Sequence, residues 1–118
     1  MLNFTGKKVY LATGVTDMRK QINGLVTLVE AAFKLSSGDA AVFVFCNRRR
    51  NRLKILEWDR DGFWLYFKRL ERGRFPWPVA TREYETIILS PEELSTLLSS
   101  TAVTRIFKRD RVENIRSV

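Results

Sequence analysis

The stretch that decides the fold covers residues 41–69 and reads AVFVFCNRRRNRLKILEWDRDGFWLYFKR. Its first six residues are an apolar run of strand length, and a polar connection at residues 47–51 separates them from a second strand-like segment at residues 52–58. Residues 59–62 have the composition of a turn, and residues 63–69 again suit a strand. The stretch therefore predicts an antiparallel meander of three strands.

The hairpin inside this meander sets the register of its strands. A three-residue loop of Arg60-Asp61-Gly62 would place glycine at the left-handed position that such loops require, with Trp58 opposite Trp64. This register puts one set of side chains on the core face: Leu53, Ile55, Phe63, Leu65 and Phe67. The opposite face becomes aromatic in its middle and cationic at one end: Arg52, Lys54, Leu56, Trp58, Trp64, Tyr66 and Lys68. A four-residue loop would shift the register by one residue and mix the two sets.

The segment before the meander predicts a strand and a helix. Val9–Leu11 reads as a short strand, and apolar residues recur at helical spacing from Met18 to Phe33, with Thr16 as N-cap. Ser36–Asp39 has the composition of a loop.

The segment after the meander predicts a strand at Thr86–Leu89 and a short helix that starts at Ser90-Pro91-Glu92-Glu93. We predict an α+β fold, with a mainly antiparallel sheet, one longer N-terminal helix and one short C-terminal helix. Residues 1–100 are expected to form a single compact domain, and residues 101–118 a basic tail or short helix.

The charge of the chain is unevenly spread. The net charge is +8 and the isoelectric point about 10.2, which favours anionic partners. Residues 46–75 hold ten Lys and Arg but four acids. No apolar stretch approaches the length of a membrane span, no signal peptide is recognised, and the single cysteine, Cys46, fits core packing in a reduced, cytoplasmic setting.

Few residue types in the chain suit catalysis. There is no histidine, which removes the commonest general base, and one cysteine cannot build a Cys/His zinc site. We predict no enzyme, no catalytic residue, no metal and no cofactor. The weaker alternative is a Mg²⁺-dependent nuclease that uses Asp17 with Asp59 or Asp61, but a helix start explains Asp17 better, and a turn explains Asp59 and Asp61 better.

The concentration of cations and aromatic residues instead predicts a nucleic-acid surface. The residues expected to contact phosphates are Arg48, Arg49, Arg50, Arg52, Lys54, Lys68, Arg69, Arg72 and Arg74, extended by Arg19 and Lys20 if the helix start lies beside the sheet. The residues expected to stack on bases or anchor a protein partner are Trp58, Trp64, Tyr66 and Trp77.

Three stretches strongly resemble one known family: VYLATGVTDMRKQINGL at residues 9–25, FVFCNRRRNRLKILEWDRDGFWLYFKRLERGRFPWP at residues 43–78 and LSPEELSTLL at residues 89–98. The family is the small accessory protein of bacterial insertion sequences of the sixty-six type, the second open reading frame product that is often called TnpB. The positions that match its motif are Asp17, Met18, Arg19, Lys20, Asn47 to Arg50, Lys54, Trp58, Asp59, Gly62, Lys68 to Glu71, Gly73 and Phe75 to Pro78.

The resemblance implies a transposition protein encoded beside a larger transposase, which carries the acidic catalytic site in such elements. It supplies no catalytic residue for this chain. We therefore expect a non-catalytic, cytoplasmic accessory protein that binds transposon-end DNA, the large transposase or both. The alternative is an interaction module that binds the transposase or another copy of itself through the aromatic face, without contacting DNA.

Overall fold

The computed structural model describes residues 2–32, 40–78 and 86–99, together with the backbone of residues 112–113. The elements within these ranges are β1 (Lys8–Ala12), α1 (Ile22–Ala32), β2 (Ala41–Cys46), β3 (Arg52–Asp59), β4 (Gly62–Arg69), β5 (Thr86–Leu89), α2 (Pro91–Ser99) and β6 (Val112–Glu113).

The strands form one six-stranded sheet in the order β4-β3-β2-β1-β5-β6. β1 and β2 pair in parallel, whereas the four other pairings are antiparallel. The α+β class and the meander of β2, β3 and β4 are confirmed, but the sheet is mixed. The parallel pair arises because α1 lies between β1 and β2 in the chain, and such a crossover lets the second strand run in the direction of the first.

The last strand falls in a segment that was predicted as a tail or short helix. The two residues of β6 pair with Thr86 and Ile87 of β5, so that prediction missed a strand. The other residues of 101–118, the loop predicted at Ser36–Asp39 and Phe33 of the predicted helix lie outside the described residues.

Helix α1 begins at Ile22, and the predicted N-cap at Thr16 is therefore wrong. Thr16 is buried, and its backbone N–H donates to the carbonyl oxygen of Cys46 at 2.9 Å. A turn follows in which the N–H of Lys20 donates to the carbonyl oxygen of Asp17 at 3.1 Å. These bonds fix the segment before α1 beside the end of β2.

Helix α2 carries the reciprocal capping box that its sequence predicts. The N–H of Glu93 donates to Ser90 Oγ at 3.0 Å, and the N–H of Ser90 donates to Glu93 Oε1 at 2.9 Å. Leu94 and Leu97 are buried against the sheet. Within the described ranges, neither helix combines the length and apolarity that a membrane span needs.

Both faces of the sheet are covered, which explains why β2 is apolar along its whole length. One face, which we call the α1 face, packs Phe43 and Phe45 against α1. The other, the α2 face, packs Val42 and Val44 with α2 and with Phe75 and Trp77. The full core sets are Tyr10, Ala12, Leu25, Val29, Ala41, Phe43, Phe45 and Leu56 on the α1 face, and Phe4, Val9, Leu11, Val42, Val44, Cys46, Leu53, Ile55, Phe75, Trp77, Ile87, Leu89, Leu94 and Leu97 on the α2 face.

The register of the β3–β4 hairpin differs from the prediction by one residue. Asp59 pairs with Gly62 and Trp58 with Phe63, so the loop contains two residues, Arg60 and Asp61. Arg60 takes the left-handed conformation with φ of 56°, and Gly62 does not. A two-residue loop with positive φ at its first position matches the twist of the flanking strands, and this geometry prevails over the glycine signal.

The shifted register mixes the two predicted sets of side chains, so the predicted face, with Trp58, Trp64, Tyr66 and Lys68 on one side of the sheet, does not exist. The α1 face of the hairpin holds Arg52, Lys54, Leu56, Trp58, Phe63, Leu65, Phe67 and Arg69, and the α2 face holds Leu53, Ile55, Glu57, Trp64, Tyr66 and Lys68. Trp58 and Trp64, which were expected to face each other, lie on opposite faces.

Candidate nucleic-acid interface

Most of the predicted phosphate-binding residues lie together at one end of the sheet, where β2 and β4 end and β3 begins. Residues 47–52 and 69–75 meet there, and we call these two segments the basic end. The N–H of Phe75 donates to the carbonyl oxygen of Arg50 at 2.7 Å, and the N–H of Leu70 donates to that of Asn51 at 2.8 Å. Main-chain hydrogen bonds therefore hold the two segments side by side.

Asn47 organises the loop that carries three consecutive arginines. Its Oδ1 accepts from the N–H groups of Asn51 and Arg52, both at 3.0 Å, and its Nδ2 donates to Asn51 Oδ1 at 2.9 Å. Arg50 takes a left-handed conformation with φ of 61°, which tightens the turn. The arginine backbone is thus fixed, and less ordering entropy is lost when the side chains bind a partner.

The basic end contains seven arginines and one acid. The arginines are Arg48, Arg49, Arg50, Arg52, Arg69, Arg72 and Arg74. Arg69 Nε donates to the acid, Glu71, at 2.9 Å. Among the residues that the structure describes, no hydrogen bond or ion pair occupies the other six guanidinium groups.

Two of these arginines directly oppose each other across the hairpin. Arg52 pairs with Arg69, and both side chains lie on the α1 face. Like charges in such positions destabilise a sheet, and Glu71 pairs with Arg69 but leaves Arg52 without an acidic partner within the described ranges. An anionic partner would reverse the penalty.

The turn before α1, which carries Arg19 and Lys20, lies beside the hairpin. Lys54 Nζ donates to the carbonyl oxygens of Met18 at 2.9 Å and of Lys20 at 2.7 Å, which attaches the turn to the sheet. Arg19 is highly exposed but bonded to Asp17, with Nη2 at 2.7 Å from Oδ2. This hydrogen bond is the main cause that lowers the pKa of Asp17 to about 2.

Two predicted phosphate contacts have other roles. Lys54 is buried, with 5% of its surface exposed, and its ammonium is occupied by the turn carbonyls. Lys68 lies on the α2 face and donates to the carbonyl oxygen of Leu98 at 2.8 Å, at the end of α2. Lys54 therefore stabilises the fold by holding the turn against the sheet. Lys68 donates to a carbonyl group at the C-terminus of α2 that lacks a partner within the helix.

The four predicted stacking residues do not form one surface. Trp77 is buried in the core, which leaves its ring inaccessible to a base or a protein partner. Trp58 is half-buried, with its ring centroid 5.0 Å from that of Phe63. Trp64 is 55% exposed and stacks on Tyr66 at 6.3 Å, on the α2 face. Five residues of strand separate Trp64 from Arg69, roughly 17 Å.

Sequence reasoning missed Phe67, which it assigned to the core. Its side chain is 55% exposed on the α1 face, where the Lys54–Phe67 pair is the neighbour of the Arg52–Arg69 pair on that face. Lys54 Nζ lies 5.8 Å from the ring centroid. A two-residue loop at Arg60 and Asp61 predicts that Phe67 lies on the same face as Arg52 and Arg69. The length of the turn is therefore the feature that could have identified Phe67.

Neither the acids nor the cysteine form a reactive centre in the described part of the chain. No group of three or more His, Cys, Asp or Glu residues there is arranged to hold a metal. Asp59 Oδ2 accepts from Trp64 Nε1 at 2.9 Å. Cys46 is fully buried, and burial raises the pKa of its thiol to about 12, which confirms the core-packing interpretation.

The buried Glu57 joins Lys7 and Tyr66 in a network on the α2 face. Glu57 Oε1 accepts from the Tyr66 hydroxyl at 2.7 Å, and Oε2 pairs with Lys7 Nζ. Burial first, and then the hydrogen bond to Glu57, raise the pKa of Tyr66 to about 12.

The stability of the protein should therefore show a specific dependence on alkaline pH. The folded-state pKa of Tyr66 lies above its unfolded value near 10, so its contribution is complete below about pH 10 and disappears as pH rises through 12. Chemical unfolding at pH 8 to 12 should show wild type more stable than Tyr66→Phe at pH 8, with the difference vanishing at the alkaline limit. A difference that stays constant across this range would contradict the assignment.

One protein family matches most of the chain, including the segments that form the basic end. A family model described as "IS66 Orf2 like protein" matches residues 7–108, a range that includes the whole basic end. The chain belongs to the IS66 Orf2-like family. This IS66 Orf2-like protein is thus a transposon-associated accessory protein, as the sequence resemblance predicted.

Two relatives of this IS66 Orf2-like protein come from Sinorhizobium fredii (strain NBRC 101917 / NGR234). "Uncharacterized protein y4hO" is 45% identical over 92 residues, which cover 78% of each chain. "Uncharacterized protein y4jC" is 35% identical over 104 residues, 88% of this chain and 87% of that protein. No solved structure is significantly similar to the chain.

Proposed function

We propose that this IS66 Orf2-like protein is a non-catalytic transposition factor that binds transposon DNA through its basic end. The observation that carries the proposal is the set of six arginines whose guanidinium groups have no acidic partner within the described ranges, on two segments joined by main-chain hydrogen bonds. Clustered cations without internal partners favour a polyanionic ligand.

The chemistry of the cluster favours phosphate over a protein carboxylate surface. All seven cations of the basic end are arginine, whose planar guanidinium binds phosphate oxygens in pairs. Phosphate contacts position a protein on DNA without reading its sequence. The membership of a transposon-associated family supports DNA as the polymer that presents those phosphates.

The proposal is tested by fluorescence anisotropy of labelled duplex DNA from a transposon end, titrated between 0.05 and 0.3 M salt. Six phosphate contacts should give a log-affinity versus log-salt slope of about −5. Absent binding, or binding with a slope near zero, would contradict it.

A second candidate function, binding a protein partner, is favoured by the free edge of the sheet. β4 is the outermost strand, so the backbone groups on its outer side have no strand partner in the described sheet. Trp64, on this strand, is 55% exposed, and exposed aromatic residues often anchor protein contacts. The large transposase or a second copy of this chain would extend the sheet there.

Replacement of Trp64 by lysine tests this candidate, because lysine on an edge strand opposes strand pairing. If the edge pairs two copies, sedimentation should give a dimer for wild type and a monomer for Trp64→Lys. If it binds the transposase, the substitution should abolish co-purification of the two co-expressed proteins. Unchanged assembly in both measurements would exclude a role for Trp64 at this edge.

A further inference from the structure

An open groove lies on the α1 face between the turn before α1 and strand β4. It encloses about 640 Å³, within the range of small-ligand sites. The turn contributes Met18, Arg19 and Gln21, and the hairpin contributes Arg52, Leu65 and Phe67. The lining thus combines the apolar side chains of Met18, Leu65 and Phe67 with cations on both sides, Arg19 from the turn and Arg52 from the hairpin.

Phe67 is the unusual residue of this groove. Its ring is 55% exposed, although phenylalanine has no polar atom that gains from contact with water. The buried Lys54 ammonium lies 5.8 Å from the ring centroid, and cation–π attraction helps to fix the ring in place. An exposed and fixed aromatic ring is a ready surface for a flat ligand.

The charges around the ring restrict what that ligand can be. Arg52 and Arg69 form the neighbouring pair on the same face as Phe67, and Arg19 also lines the groove. The one acid that lines the described groove, Asp17, is bonded to Arg19. A ligand that fits is flat and apolar on its faces and carries negative charge along its backbone.

We propose that the groove takes an unpaired nucleotide of a DNA strand whose phosphates lie along the basic end. The base stacks on Phe67, and the Gln21 amide is placed to hydrogen-bond the edge of the base. Arg52 binds the adjacent phosphate, and Arg69 binds a second one through guanidinium N–H groups other than the Nε–H that Glu71 accepts. This inference rests on the proposed DNA binding and adds that the ligand includes unpaired DNA.

The test compares single-stranded and duplex oligonucleotides of equal length by anisotropy, with wild type, Phe67→Leu and Leu2→Ala. Leu2 is the control, because it is an exposed apolar side chain that lines a different pocket, beside α2. Loss of one stacked base should weaken single-strand binding by Phe67→Leu between about 5-fold and about 150-fold. Duplex binding of this variant should change less than about twofold, and Leu2→Ala should bind both DNAs like wild type.

A Phe67→Trp variant supplies an independent readout. Tryptophan preserves stacking, so single-strand affinity should be retained and the added fluorescence should be quenched by bound DNA. Equal single-strand binding by wild type and Phe67→Leu, with duplex binding intact, would overturn the groove inference and leave the proposed function standing. Failure of wild type to bind either DNA would overturn both.

Discussion

Replacing Arg48 and Arg49 with alanine is expected to weaken duplex DNA binding by about 60-fold at 0.1 M salt. Each phosphate contact contributes about 0.9 to the slope of log affinity against log salt. Two lost contacts therefore flatten the slope by about 1.8, and between about 1 M and about 0.1 M salt the variant gains about 1.8 log units less affinity than wild type. Both side chains are exposed and have no partner within the described ranges, so the fold should be unaffected. Anisotropy titrations at several salt concentrations measure the affinity and the slope together.

The chain offers a charge-matched control for this experiment. Lys8 and Arg60 are exposed cations at the opposite end of the sheet, roughly 23 Å along β3 from the basic end. Their double alanine variant loses the same net charge but should weaken DNA binding less than about threefold. Equal losses in the two variants would mean that binding depends on net charge alone, not on the basic end.

Lys54→Met is expected to lower the free energy of unfolding by about 2–3 kcal/mol. The substitution keeps the length of the side chain but removes the ammonium that donates to the carbonyl oxygens of Met18 and Lys20. Hydrogen bonds of a charged donor contribute about 1.5–3 kcal/mol each, and partial access of water to the exposed turn reduces the total. Urea unfolding measures the change, and hydrogen exchange should locate it in the turn before α1.

Lys68→Met is the matched control, because Lys68 also donates to a main-chain carbonyl but is exposed. Its cost should stay below about 1 kcal/mol. Lys54→Met should also leave the salt slope of DNA binding unchanged, since its ammonium lies inside the fold. A stable Lys54→Met protein with a flatter salt slope would show instead that Lys54 contacts phosphate.

The sequence predicts those parts of the fold that local chemistry determines. Each of these parts depends on a few neighbouring residues. They are the apolar run at β2, the capping box at Ser90 and Glu93, and the cations that precede and follow β3. Antiparallel strands bring the chain segments at their ends together, so the meander alone gathers Arg48, Arg52 and Arg69 at one end of the sheet.

The hairpin register could not be read from composition, because two loops of different length compete. Gly62 suggests a three-residue loop, but Arg60 adopts the left-handed conformation and closes a loop of two. One residue of register reverses the face of every side chain in β4. The exposure of Phe67 and the separation of Trp58 from Trp64 both follow from that single difference.

Tertiary contacts decide the remaining disagreements. Lys54 and Arg52 look equivalent in the sequence, yet the turn before α1 covers Lys54 and leaves the guanidinium of Arg52 at the groove. Trp77 is buried because residues 70–78 fold over the α2 face, and Phe75 is anchored by its bond to Arg50. Neither contact has a local sequence signal.

A ¹H–¹⁵N correlation spectrum of the protein titrated with transposon-end DNA tests most directly whether the basic end is the interface. We expect the amide shifts to concentrate at residues 47–52 and 69–75 and in the turn before α1, with little change at the Arg60–Asp61 loop. Shifts confined to the free edge of β4 around Trp64, or the absence of shifts at saturating DNA, would contradict the basic end as the interface.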